Sequence, residues 1–499
     1  MADSKGFLSD QSYSAAMARS VDELIAENSK PDPNLFLFLE VFSNLIHSRV
    51  DAPLEIIWCY CYVNFRCSNL DHGDLLQRST GAKELFLQIS RCSVSCKPNK
   101  SVVLLTPLLF QLIYLVEDLS SEKTGLKLWR NACQRTMSLI SQIISYVSTC
   151  WSKESEEGEH ASESSVSFDD LVNLWRYSRR TELTRHLTFV GVEKKACFGY
   201  NLDNLAGNLI AELFLLKLYS ALLLGNKTEK ELRSWSVSSI NSFQNILFFD
   251  SIMTKLLESP IHKLGSEGEH VLKTILYDAV ILEDYRFLTS DRVKRLAESK
   301  SKEILLKRIL IVCEAFTYFR SRGDHKREYS YINSLSSSKF YLQMVKQCVA
   351  GVAIKEEMEK LKGLSSVSLL KWLVEFEEEG VKLFDETELV KKAKMVVKDL
   401  GMDSKAEKIG SDSELFYIDN KGSEENGAFV EDDQMKGSLS AAFVAAAHSM
   451  SGKRRKGEAN DDVNKKLKFD EEEDSDSSFT LDGSLSGESE LDNPSSDDD

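Results

Sequence analysis

Proline is nearly missing from this chain. Seven prolines occur in 499 residues, and none lies between Pro107 and Pro260 or between Pro260 and Pro494. Proline breaks a helix interior because it lacks the N–H donor and its ring clashes with the preceding turn. Long proline-free runs whose apolar residues repeat at three and four therefore predict helices. In "KEILLKRILIVCEAFTYFR" (302–320), Ile304, Leu305, Arg308, Ile309, Val312, Ala315, Phe316 and Phe319 keep that spacing. The same pattern predicts helices near 13–28, 34–48, 54–68, 74–90, 102–118, 125–151, 168–180, 203–224, 236–257, 269–282, 336–362, 366–379 and 385–400. Asp32 and Pro33 suggest a capped start for the second of these. Gly225, Gly363 and Gly401 follow apolar runs, as helix-ending glycines do. No alternating strands flank an Asn-Gly or Asp-Gly turn. The expected class is all-α, an irregular helical-repeat, HEAT-like α-α stack, with a compact helical bundle as the alternative. No motif recurs near 34 or 40 residues.

Composition changes sharply at two places. "SKESEEGEHASESSVS" (152–167) holds no aliphatic residue except Val166 and reads as a polar acidic loop. It separates an N-terminal helical unit (1–151) from a second helical unit (168–400). From 401 to 499 Gly, Ser, Asp and Glu dominate, as in a disordered tail, and only the island "SLSAAFVAAAHSM" (438–450) has helical character. The net charge of −16 belongs to this tail, because thirteen acidic residues and no Lys or Arg follow Lys468. The folded part is close to neutral.

Two apolar stretches invite a membrane reading and are expected in the core instead. Residues 205–225 include Asn208, Glu212 and Lys217, which are costly in lipid. Residues 102–116 are too short to span and contain Pro107. The opening "MADSKGFLSDQSYSAAMARS" has no apolar run of a secretory leader, so the ten cysteines are expected to be free thiols in a reducing compartment.

Phosphate-loop, dinucleotide and His-Glu-x-x-His signatures are absent from the sequence, and "GSLSG" (483–487) carries Leu485 where a nucleophile would stand. An enzyme is not expected, nor is a cofactor. Cys59, Cys61 and Cys67 cluster, and Cys92 and Cys96 have a C-x-x-x-C spacing that zinc ligands also use. Neighbours two apart on a helix face different ways, however, so thiols without metal are the favoured reading; oxidation of the "CSVSC" pair is a weaker one. His262 and His270 flank a polar turn, and nothing in the sequence makes them converge with an acid or base.

Basic groups carry more information. Arg176, Arg179 and Arg180 in "RYSRRTELTRH" and Arg292, Lys294 and Arg295 in "RFLTSDRVKRLAESKSKEILLKR" form a candidate phosphate-contact patch, extended by "RSRGDHKR" (320–327). The alternative is ordinary solvated helix faces and helix C-terminal cations. Lys453 and Arg454, then ten residues, then Lys465, Lys466 and Lys468, match a bipartite nuclear import signal (453–468). Such a signal needs an extended segment offering two cationic anchors to an import carrier. The acidic end (470–499) opposes binding to phosphates. Within it Ser489 and Ser495 each have an Asp three residues on, as acid-directed phosphorylation requires.

The stretches "DAPLEIIWCYCYVNF" (51–65), "LLTPLLFQLIYLVEDL" (104–119) and "LYDAVILEDYRFL" (276–288) resemble a plant nuclear helical family. It is that of the Nse-five-like subunits of the structural-maintenance-of-chromosomes five-six complex, which pair with the protein called suppressor of npr-one inducible. The resemblance spans roughly residues 30–355 and rests on helix patterns, so no functional residue is carried over. It implies a non-enzymatic subunit that binds a helical partner within a multi-subunit complex and helps to load or regulate a DNA-repair ATPase. The expected function is thus a nuclear scaffold in chromosome maintenance, without membrane contact and with at most weak or indirect DNA contact. The alternative is a nuclear or nucleolar factor that touches nucleic-acid phosphates through the core patches.

Overall fold

Apolar spacing translates into helices along most of the chain. A computed structural model describes residues 10–406 except 71–72, 122–126, 152–167, 176–200, 225–226, 259–263, 290–297, 335–364, 381–383 and 386. No strand occurs among the described residues, and the class is all-α. The helices are α1 (Asp10–Asn28), α2 (Phe36–His47), α3 (Leu54–Cys67), α4 (Leu75–Cys92), α5 (Pro98–Val103), α6 (Thr106–Ser121), α7 (Lys127–Trp151) and α8 (Phe168–Trp175). They continue as α9 (Leu202–Leu224), α10 (Glu229–Phe243), α11 (Ile246–Glu258), α12 (Gly265–Tyr277), α13 (Glu298–Ser321), α14 (His325–Ser334), α15 (Ser366–Glu378) and α16 (Thr387–Ala406).

Several boundaries differ from the expected ones for local reasons. The stretch 102–118 is two helices, because Pro107 cannot donate to the Val103 carbonyl. The Thr106 hydroxyl takes that carbonyl instead, at 2.7 Å. The stretch 236–257 is also two helices: Gln244 sits in the left-handed region at φ 47°, and the Asn245 side chain caps α11 by accepting the Phe248 N–H at 2.8 Å. Asp32 and Pro33 do not cap α2, whose preceding residue Leu35 makes no side-chain cap. The loop before it is held instead by the Asn34 N–H, which donates to Glu27 at 3.0 Å. Gly401 does not end α16, which runs on to Ala406. The expected helix at 336–362 lies outside the described residues, as do Gly225 and Gly363.

Packing runs along the chain, most helices touching those a few steps away. Two helices are enclosed on nearly all sides, α6 and α9, the latter burying residues from Leu205 to Ala221 almost without interruption. Among the described residues two stretches are long and apolar enough to cross a membrane, Pro98–Ser121, which includes α6, and Leu202–Leu224, which is α9, and both are mostly buried inside the protein. A helix apolar all round belongs in such a place. Helix α9 packs on α5, α6 and α7 on one side and on α11 and α12 on the other. The core therefore continues across 152–167, from Tyr13 to Ala393, within one compact unit spanning Met1–Ser411. Helix α8 strengthens this by turning back onto α3: the Trp58 indole N–H donates to the Leu171 carbonyl at 2.8 Å, and Phe168 meets Trp58 edge-on. The acidic C-terminal segment lies outside the described residues.

Two of the places where charge enters the core involve α13. Between α11 and α13, Asp250 accepts from Lys300 at 2.8 Å and from Lys307 at 2.9 Å, while Glu303 pairs with both lysines. After α12 the backbone widens into a π-turn, Asp278–Leu282. Side chains take three of its carbonyls: the fully buried Arg308 donates to Val280 and Ile281, and to Glu283 just beyond, and Tyr285 donates to Ala279 at 2.7 Å.

Candidate protein-interaction face

Helix α2, "FLFLEVFSNLIH", has the composition of a buried helix but lies at the surface. Phe38, Phe42 and Leu45 face the core, and the Tyr13 hydroxyl of α1 donates to the Leu45 carbonyl at 3.1 Å. The opposite side carries Phe36 and Leu37, each 67% exposed, with Val41, Glu40 and Asn44. Single exposed apolar residues are common. Three within two turns of one helix, around a lone carboxylate, form a contiguous apolar strip of the kind that marks an interaction site.

The other flank of α2 borders a groove of about 590 Å³ shared with α3 and α4. Ser43, Ile46 and His47 line it from α2, Tyr60 and Asn64 from α3, and Gln88, Arg91 and Cys92 from α4. On its rim Val50 is 84% exposed, as is Val94 nearby, where the Ser95 hydroxyl donates to the Val50 carbonyl. The Nε2 of Gln88 is shut off from solvent and has no acceptor. The face thus offers an apolar strip, a polar recess and an unused donor. Those features bind surfaces by complementarity. Among the described residues no group of three or more His, Cys, Asp or Glu side chains is placed to hold a metal.

Arg176, Arg179, Arg180, Arg292, Lys294 and Arg295 of the candidate phosphate patch, Lys453, Arg454, Lys465, Lys466 and Lys468 of the import signal, and Ser489 and Ser495 lie outside the described residues. Neighbouring members of the same basic runs are described, and much of their charge is used internally. Lys300, Lys307 and Arg308 serve the buried groups above. Arg327 pairs with Glu229 at 3.1 Å and lies over the Phe319 ring, and Arg322 lies over Tyr318. Cations spent on carboxylates, carbonyls and rings are poor contacts for phosphate.

The His270 Nδ1 lies 3.0 Å from the Tyr318 hydroxyl, and burial, with Arg322 and Arg327, lowers its proton affinity against the opposing charges of Glu229 and Asp324. His262 and Cys197 fall outside the described residues. The apolar α2 strip could have been read from the sequence, because every second or third residue of 36–46 is apolar on both sides of the helical wheel. Compared with protein-family models, with curated proteins and with solved structures, the chain matches none.

Proposed function

We propose that this chain is a non-enzymatic nuclear interaction subunit of a chromosome-maintenance and DNA-repair assembly, and that it holds a helical partner against α2. The exposed strip of Phe36, Leu37 and Val41 carries the reading. A twelve-residue helix is about 18 Å long, the footprint of one amphipathic partner helix laid alongside. Glu40, exposed on the same strip, favours a partner whose apolar stripe is edged by Lys or Arg. The spaced basic groups at 453–468 support a nuclear address, and the resemblance of the helix patterns supports the chromosome-maintenance setting. The internal use of Lys300, Lys307, Arg308 and Arg327 weighs against nucleic-acid binding by the core.

The test is purification of the full chain from nuclei with hydroxyl-radical footprinting of the recovered complex. Protection of Phe36 and Leu37 is expected. A Phe36→Ser, Leu37→Ser, Val41→Ser triple variant should lose the partner while keeping its helical circular dichroism. Recovery of the same partner in the same yield by that variant would sink the proposal.

A further inference from the structure

The groove beside α2 specifies a chemical group that a partner helix must carry. An α-helix turns by about 100° per residue, so Phe36, Ser43 and His47 fall within about 20° of one line along α2. Phe36 belongs to the exposed apolar strip, while Ser43 and His47 line the groove. Strip and groove are thus one continuous face, and a helix seated on the strip has one flank over the groove.

The wall built by α3 and α4 holds donors without acceptors. The Nε2 of Gln88 is shut off from solvent and unpaired. Among the described residues the Tyr60 hydroxyl makes no hydrogen bond, and Arg91, exposed and three residues beyond Gln88 on α4, makes no ion pair. The neighbouring Arg49 and His47 are engaged elsewhere. Arg49 pairs with Asp10 and lies over the Tyr13 ring, 4.1 Å from its centroid, and the His47 Nδ1 donates to the Ser43 carbonyl at 2.7 Å. Glu84 also lines the groove, seven residues before Arg91. That is about 10 Å along the helix, far enough for salt to screen most of its repulsion of an anion beside Arg91.

An unpaired guanidinium close to two unused donors calls for an acceptor with negative charge and more than one oxygen. A backbone carbonyl meets one such donor. A carboxylate accepts from several, and arginine can bind it through two parallel N–H groups.

We propose that the partner helix seated on α2 carries an Asp or Glu beside its apolar stripe, and that this carboxylate enters the groove and is held by Arg91, with Gln88 and Tyr60 as further donors. The proposal rests on α2 being a docking face, and it gives that face a polarity. A basic edge meets Glu40 and an acid meets Arg91, so a helix laid in the wrong register or direction forfeits one of the two.

The test uses the full chain and covalently stapled helical peptides of about twenty residues, since shorter free helices are marginal in water. Each peptide has an apolar stripe with a Lys edge, and carries a single Glu or Gln at successive turns along either flank. Binding is read by fluorescence anisotropy. At one position Glu should bind about tenfold more tightly than Gln. Arg91→Ala should remove that advantage without weakening the Gln peptide, and Arg91→Glu should transfer it to a peptide with Lys at the same position. Phe36→Ser should instead weaken the Glu and Gln peptides alike. Because Arg91 is exposed, its variants should keep the wild-type thermal midpoint. Equal affinity for Glu and Gln at every position, or a Glu advantage that survives Arg91→Ala, would overturn the proposal and leave the docking face standing. A wild-type chain that binds none of the peptides would take down the docking face and the proposal together.

Discussion

Glu212 and Arg308 are both fully buried, and Arg308 alone of the two makes side-chain hydrogen bonds, through Nε and one terminal nitrogen. Both carboxyl oxygens of Glu212, on α9, lack a hydrogen-bond partner, and burial pushes its pKa up to about 8, the charge of Lys255 opposing. A carboxyl whose folded pKa lies above its unfolded value keeps an extra proton in the folded state between the two. Folding then releases no penalty below about pH 4.5, and stability falls as pH rises from there through 8. Glu212→Leu is therefore expected to be more stable than the wild type, by a margin that grows from pH 5 to pH 8. Each tenfold change in proton affinity is worth about 1.4 kcal/mol, so the margin approaches the order of 4 kcal/mol. Urea unfolding at several pH values measures it, and a pH-independent difference would contradict the assignment.

Lys217, on the same helix, acts in the opposite sense. Burial lowers its pKa to about 8 while it donates to the Met137 carbonyl at 3.3 Å. Its folded form gives up its proton before the unfolded form does, so stability recovers between about pH 8 and its ordinary 10.5. Arg308 is a different case, because its donors complete the π-turn. Arg308→Ala leaves two buried carbonyls and one half-buried one short of a donor and opens a cavity, which should cost about 3 kcal/mol or more. A denaturant midpoint unchanged by that variant would exclude the role. The polar edge of α9 is legible in the sequence, since Asn208, Glu212 and Lys217 stand out within an apolar run. Which of them finds a partner is not legible, because Ser251, Met137 and Ser141 come from other helices.

At the scale of elements, helix positions follow the apolar spacing closely and helix ends do not. Ends depend on single groups: the Thr106 hydroxyl beside Pro107, the left-handed Gln244, the Asp74–Gln77 capping box of α4. Helix α14 escapes sequence reading altogether, because "HKREYSYINS" buries only Glu328 and Tyr331 and shows no apolar stripe. The interaction face is half-legible. The apolar surplus of α2 stands in the sequence, but only packing shows that Phe36 and Leu37 are the residues left outside. One close approach between elements is at Gly207, where α9 crosses the start of α11. A Cβ there would lie 2.8 Å from Leu247 Cβ and 3.0 Å from its backbone. Gly207→Ala gains helix propensity but must push the two helices apart, and a net loss of about 1–3 kcal/mol is expected. A rise in thermal midpoint would show that the crossing can relax.

For the whole molecule, the proposed nuclear address at 453–468 is expected to be separable from the fold. Replacing Lys453, Arg454, Lys465 and Lys466 with alanine should move a fluorescent fusion toward the cytoplasm without changing the thermal midpoint. An unchanged nuclear signal would mean that import relies on another segment or on a bound partner. Helices on both sides of 152–167 share one core, joined by α9, which packs on α5, α6 and α7 and on α11 and α12.

That placement of α9 has a consequence for biosynthesis. Residues 98–151 form α5, α6 and α7, and the surface on which they receive α9 stays uncovered until residues 202–224 have been translated and have left the ribosome. At about 5–20 residues per second this gap lasts several seconds. During it the nascent chain displays an apolar trough that any other chain can occupy. Chaperone capture during synthesis should therefore concentrate on intermediates in which residues 98–151 have left the ribosome and residues 202–224 have not, and decline once α9 is home.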